Sequence, residues 1–471
     1  MTTNLALRRE GPPGAVTRRT WLALVVLAAG LAIDTGSVAV VNSALPVIGQ
    51  RFAMDDALLQ WTITLYAATF AGFLLFGGRA ADVLGRRFVF ALGMGIFTAC
   101  AAAAAVAPSA EVLVVARAGQ GLGAALSGPA SLALVTQLFP EGPLRNRALA
   151  VYTSVGASSF SGGLVLGGVL TDAFGWRSVF AVLTATSLGV LLMVHGVLPR
   201  GTSLAQGMDL QGAVLATLGL VSAVYGVGNA STNGWNDVRT WAPLAAAIVL
   251  LGGFALWEQR ASEPLLPWTI FRSAPVRAAT LAAVTFFTPV LGLLFFAPLY
   301  MQGMLGYSPL ESGLAIVPMG LIVMVSANVA GRVLTRVGQR PLIVSGLLLI
   351  AAGVGALWTR TPVEGAYLPH VLPGIAVMSV GQGLAFAALT AASLTDVPLE
   401  RHGVAGALNV TAQQLGGSLG VAALVTVSQA ADTTANAAGV LDGYHAAYLA
   451  GAAVAVIGAL VIALLPYGPR D

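Results

Sequence analysis

Apolar runs of about twenty residues follow one another along almost the whole of this 471-residue chain. Each is long enough to cross the ~30 Å hydrocarbon of a bilayer as a helix. Lipid leaves few alternatives, because a helix satisfies its own backbone hydrogen bonds. Only 9% of the residues are charged, against about 25% in a soluble domain, so a water-soluble globule is excluded. Glycine is abundant, at 57 residues, which suits helices that approach closely in lipid.

The runs predict fourteen spanning helices, near 21–43, 58–77, 88–107, 111–138, 148–171, 177–198, 209–230, 241–258, 276–301, 309–329, 341–359, 367–392, 404–430 and 445–466. The chain has no lysine; its 23 basic residues are all arginine. With the N-terminus placed inside, eighteen fall on the inner side: Arg8, Arg9, Arg18, Arg19, Arg79, Arg86, Arg87, Arg145, Arg147, Arg200, Arg260, Arg272, Arg277, Arg332, Arg336, Arg340, Arg401 and Arg470. Arg51, Arg177, Arg239 and Arg360 fall outside, and Arg117 within a helix. This asymmetry supports an even helix count in a cell membrane with both termini cytoplasmic. It also explains the formal charge of +4 without a nucleic-acid partner.

The arginines before Trp21 resemble the start of a signal peptide, but the run that follows reaches about Val41, beyond the ~7–15 residues of a cleaved one, and reads as a retained first helix. Without lysine there is no Walker phosphate loop, so the chain itself is not an ATP-driven pump. One cysteine, Cys100, allows no internal disulfide. His195, His370, His402 and His445 share no metal-ligand spacing. No nucleophile motif is present, so no catalytic residue, metal or cofactor is expected.

One short pattern occurs twice. Gly78 to Arg87 reads GRAADVLGRR and Gly331 to Arg340 reads GRVLTRVGQR, 253 residues apart. Gly119 opens GQGLGAAL and Gly381 opens GQGLAFAAL, 262 residues apart. Each lies two helices after its copy of the connector. The chain therefore reads as a tail over 1–20, a six-helix half over 21–200, two inserted helices with linkers over 201–274, and a second six-helix half over 275–471. Duplicated halves of this kind are a common transporter design. In the first connector, Gly78, Arg79, Asp82, Gly85, Arg86 and Arg87 are candidates for a conformational latch, with Asp82 pairing an arginine when the inner side closes. The plainer reading is a basic loop that only orients the chain.

Two charges lie deep in spans, Asp34 and Arg117. Each costs ~2.5–3.5 kcal/mol at mid-helix unless paired or hydrated, so each is a functional candidate. Counting residues from the helix ends puts both in the outer third, where a pair is geometrically open. They are the candidate proton-coupling residues, and a permanent structural ion pair is the alternative. Asn42, Gln120, Asn409 and Gln413 are candidates for lining a cavity, or for tying helices together. The Gly- and Ser-rich stretch Gly156 to Gly168 suits close packing more than a hinge. Asp209, Glu258 and Glu311 stand at helix ends and are expected in water.

With these residues identified, the chain resembles the major facilitator superfamily, and within it the fourteen-helix drug:proton antiporters. GRAADVLGRR is similar to that family's loop between helices two and three, and Arg117 to Gly123 (RAGQGLG) to its helix-four motif, whose arginine is implicated in proton coupling. Asp209 to Gly212, Pro264 to Leu266, Phe271-Arg272, Pro298 to Pro318 and Gly406 to Gly420 follow in the expected order. The sequence departs from the pattern at Ser37, where an acid is usual, at Leu164, where the helix-five motif usually has proline, and at Val83, usually basic. The resemblance implies an all-α membrane fold of two six-helix halves with two inserted helices, and no enzyme. It implies a monomer that exports small hydrophobic or cationic compounds by proton antiport with alternating access. The departures keep a proton-independent facilitator or importer of a small metabolite open. The lack of any soluble domain longer than a loop argues against a membrane sensor.

Overall fold

The computed structural model describes residues 17–139, 143–199, 209–261, 264–266, 268–397, 402–432 and 436–465. The tail through residue 16, and Arg8, Arg9, Arg200, Arg401 and Arg470 with it, lie outside the described residues. Among the described residues, fourteen helices are long and apolar enough to cross a membrane. They are α1 (Arg18–Phe52), α3 (Trp61–Leu84), α4 (Arg86–Ala105), α5 (Ala110–Leu138), α6 (Pro143–Phe174), α7 (Arg177–Val197), α8 (Leu210–Asn233), α9 (Val238–Glu258), α10 (Ala274–Gly303), α11 (Pro309–Val337), α12 (Gln339–Arg360), α13 (Leu372–Ala392), α14 (His402–Ala431) and α15 (Ala437–Leu464). A single turn, α2 (Asp56–Leu59), joins α1 to α3.

Local chemistry sets most helix ends. Thr17 and Thr20 form a capping box that starts α1, and Ser308 with Glu311 does the same for α11, where Pro309 fixes the first turn. Ser273 caps α10 and Asn436 caps α15 through backbone amides three residues on. The repeated connector has a backbone reason: Gly85 and Gly338 both adopt positive φ, 96° and 87°, and each ends one helix and opens the next with no loop between. An L side chain resists that conformation. Gly78 sits inside α3, its nearest obstacle a Pro129 carbon 3.8 Å from an added Cβ, so no close contact requires it.

Two expectations about helix ends fail. α1 does not stop near residue 43; it runs through Pro46 to Phe52. Buried surroundings can re-satisfy the backbone group that a proline frees, so the helix continues. Glu258 is not in water: it is 3% exposed. Its carboxylate accepts the backbone N–H groups of Leu265 and Leu266, both at 3.1 Å, where the chain folds back after α9. Asp209 is half-buried, caps α8 through Gly212 and accepts the Trp257 indole N–H at 2.8 Å. Glu311 is exposed as expected.

α1 and α3–α7 pack as one bundle and α10–α15 as another, joined where α3 meets α14 and α6 meets α11; the α8–α9 hairpin rests through α8 on both. Burial follows this plan. Of the most apolar stretch of each helix, 72% is buried in α10 and 67% in α1, against 17% in α9. Ile248, Val249 and Leu256 on α9 are exposed apolar side chains of the kind that face lipid. Helices approach through glycine: an added Cβ on Gly163 or Gly167 of α6 would lie 2.9 Å from the Gly36 carbonyl or 2.4 Å from that of Val40 on α1. The stretch Gly156 to Gly168 therefore serves packing.

The bundles close on each other at the arginine-poor end. The Gln302 amide donates to the Ser43 carbonyl at 3.3 Å, and Gly313 and Gly168 bring the α6 and α11 backbones together beside Leu164 and Pro309. At the same end α2 inserts between the bundles: the Tyr444 hydroxyl of α15 donates to Asp56. Burial pushes the Asp56 carboxyl up from 3.8 to about 6, the Tyr444 bond offsets part of this, and Asp55 and Asp432 add repulsion. The folded chain thus holds this proton more tightly than the unfolded one, and folded stability falls as pH rises through that interval. Asp56→Asn should remove the fall. Thermal unfolding in detergent should show wild type losing ground to the variant from about pH 4 to about pH 6 and a constant gap above; parallel curves would contradict the assignment.

Candidate functional site

The long α1 places Asp34 near mid-helix, 6% exposed. Its Oδ2 accepts the Ser127 hydroxyl of α5 at 2.9 Å, and its Oδ1 has no hydrogen-bond partner. Its backbone carbonyl accepts the Tyr66 hydroxyl at 3.1 Å and the Ser37 hydroxyl at 3.0 Å. The Ser37 hydroxyl therefore points back at the Asp34 backbone.

Arg117 is fully buried and does not pair with Asp34. Its Nε donates to the Thr62 carbonyl at 3.0 Å and one terminal nitrogen to Gln120 Oε1 at 2.9 Å. The guanidinium lies 4.2 Å from the centre of the Tyr66 ring, a cation–π contact. Counting had put both charges at one level. Ser127, the residue beside Asp34, is ten positions past Arg117, ~15 Å along the helix. The two charges were measured from opposite ends of helices taken to be one bilayer thick, whereas α1 spans 35 residues and α5 29. Tyr66 stands between the two, its ring under Arg117 and its hydroxyl on the Asp34 backbone.

The connector is clasped within its own bundle. Asp82 and Arg86 form an i,i+4 pair at 3.2 Å, Arg86 also donates to the Ala133 carbonyl of α5, and Arg87 to the His195 carbonyl at the end of α7. A partly exposed i,i+4 pair of this type contributes ~0.3–0.5 kcal/mol.

An open groove of about 550 Å³ lies along the first half of α6, toward the arginine-rich face, lined by Arg147, Val151, Ser154, Val155, Ser158 and Ser159 of that one helix. None of the four amide candidates lines it. Asn42 is buried, Gln120 is engaged by Arg117, and Gln413 donates to Asn409 at 2.8 Å within α14. Sequence reading missed the hydroxyls. Ser127 and Ser131 stand four apart on α5, on one helix face, and Ser131 bonds the Tyr152 hydroxyl of α6. Their spacing in an apolar helix was the available signal. Among the described residues no group of acids, histidines and cysteine could hold a metal.

The arrangement is a helical membrane protein with an ion-pair-free carboxyl buried inside its first bundle, between α1 and α5. The model of the Major Facilitator Superfamily matches residues 27–421. The chain is 37% identical to the puromycin resistance protein pur8 of Streptomyces alboniger, over 96% of this chain and 92% of that one. It is 35% identical to the cephamycin export protein CmcT of Amycolatopsis lactamdurans, over 91% and 88%. It is 34% identical to the tetracenomycin C resistance and export protein of Streptomyces glaucescens, over 88% and 77%. In fold it is similar to the crystal structure of a D-xylose-proton symporter, with a TM-score of 0.66 and 15% identity over 94% of this chain and 97% of that one. A multi-pass membrane protein with fourteen membrane-capable helices, this chain is a transporter belonging to the Major Facilitator Superfamily.

Proposed function

We propose that the chain exports small hydrophobic or cationic compounds of the antibiotic class in exchange for protons, with the arginine-rich face and both termini in the cytoplasm. The observation that carries this reading is the Asp34 carboxyl: buried, one oxygen unpartnered, no cation in contact. A charge left unpaired at such depth costs several kcal/mol, and a proton removes it. Substrate in the α6 groove and a proton on Asp34 are then alternative loads of one carrier. Relatives named for resistance to puromycin and export of cephamycin support the substrate class. Alternating access follows from rocking the bundles: the contacts at Gly168, Gly313 and Gln302 part, and the Asp82 connector latches the other end.

The test uses inside-out vesicles with an acid lumen, offered puromycin, a cephamycin and tetracenomycin C. Uptake of at least one compound that stops when the gradient is collapsed is the expected result. Uptake indifferent to the gradient would select the facilitator instead, and no uptake above empty vesicles would end the transport reading for these compounds.

A further inference from the structure

Asp34 sits at the top of a line of hydroxyls that descends toward the arginine-rich face. Ser127 bonds its carboxylate at 2.9 Å. Ser131 follows one turn further along α5, and its hydroxyl meets that of Tyr152 at 2.5 Å. All three side chains are buried. Tyr152 lies within electrostatic reach of Asp34, and its neighbours Val151 and Ser154 line the groove. Two residues beyond Ser131, the Ala133 carbonyl is already held by the part-exposed Arg86, so the line ends close to that face.

On the other side the line is broken. Tyr66 directs its hydroxyl at the Asp34 backbone, not at the carboxylate, and Arg117 is engaged with Thr62 and Gln120. The route away from Asp34 is thus one-sided in this arrangement, on the side where the groove lies.

We propose that Ser127, Ser131 and Tyr152 conduct the proton between Asp34 and the groove on the arginine-rich side. The proposal rests on the reading of Asp34 as the proton carrier. Side chains four apart on a helix have Cβ atoms ~5–6 Å apart, a gap one water spans with two hydrogen bonds of ~2.8 Å. Pro129 lies between the two serines inside α5 and lacks an N–H, which loosens the helix where such a water would sit. The transfer conserves every hydroxyl. The Ser127 and Ser131 hydroxyls, which here donate to Asp34 and to the Gly128 carbonyl, first rotate; Asp34 then gives its proton to Ser127, Ser127 passes its own through the water to Ser131, Ser131 to Tyr152, and Tyr152 to water on the arginine-rich side. Asp34 is left as the carboxylate, and one hydronium has formed. The charged and titratable groups around this line are Tyr66, Arg117 and Arg86, with Arg147 at the mouth.

The test needs no substrate. Purified full-length protein in lipid is given a rapid alkaline pH jump, and the carboxylic-acid C=O band is followed by infrared spectroscopy; Asp34→Asn identifies which band is Asp34. Tyr152→Phe and Ser131→Ala should slow the loss of that band about tenfold to a hundredfold, the scale of losing one positioned proton-transfer group. The midpoint pH should stay unchanged, and Ser131→Thr, which keeps a hydroxyl, should restore the rate. Unchanged rates in both variants would overturn the relay and leave Asp34 as carrier. A shifted midpoint would overturn it too, since the hydroxyls would then be tuning Asp34 and not conducting. If Asp34→Asn removes no band, Asp34 does not titrate, and both readings fall.

Discussion

Asp34→Asn is expected to abolish gradient-driven accumulation while substrate exchange across the membrane continues. The asparagine has the same shape, and its amide oxygen can still accept the Ser127 hydroxyl that now holds Oδ2 at 2.9 Å. Its nitrogen takes the place of Oδ1, which has no partner to lose. The fold should therefore stand, and only the capacity to take up and release a proton is gone. Inside-out vesicles measure accumulation under an acid lumen, and counterflow between unlabelled and labelled substrate measures exchange without net proton movement. The driven component should fall by at least ~10²-fold, in the range expected when a proton-transfer group is removed. If accumulation survives, the proton travels elsewhere. If counterflow disappears as well, Asp34 holds the substrate or the fold instead.

The second large effect concerns two neighbouring glycines. A Cβ on Gly77 would lie 2.1 Å from the Ala125 carbonyl oxygen and 2.9 Å from its carbon, backbone atoms with no rotamer to retreat into. Gly77→Ala must push α3 away from α5, and overpacking costs ~1–3 kcal/mol, occasionally more, with the upper end expected where backbone meets backbone. Gly78→Ala meets only a Pro129 carbon at 3.8 Å, and in a helix alanine is favoured over glycine by ~1 kcal/mol. Expression as a monodisperse species should collapse for the first and hold or improve for the second. Equal behaviour of the two would mean that α3 and α5 are not seated as described.

Hydrophobic run length made the helices legible, because lipid gives an apolar twenty-residue stretch one economical form. The connector echo was legible for a similar reason: Gly85 and Gly338 answer a backbone demand that no other residue meets as easily. The site was legible only in part. Asp34 stands out by its cost at depth, but its partner is chosen by the register between α1 and α5. That register is fixed by tertiary packing, which puts Ser127 and not Arg117 beside the carboxyl. Arg117 illustrates the limit. Its charge invites an acid, yet the fold answers it with the Thr62 carbonyl, Gln120 and the face of Tyr66. Glu258 departs from the expectation that a helix-end acid faces water, because the returning chain lays two backbone N–H groups on it.

Where α6 meets α11, an added Cβ on Gly313 would lie 2.6 Å from the Leu164 carbonyl, and one on Gly168 2.7 Å from that of Pro309. Main chain rests on main chain there. Side chains can swing aside by degrees, but two backbones in contact have no such freedom and either seat together or part. The closed end should therefore behave as a toggle with two settings. Distances measured across it by paired spin labels should fall into two separate populations whose proportions change with conditions while their positions stay fixed.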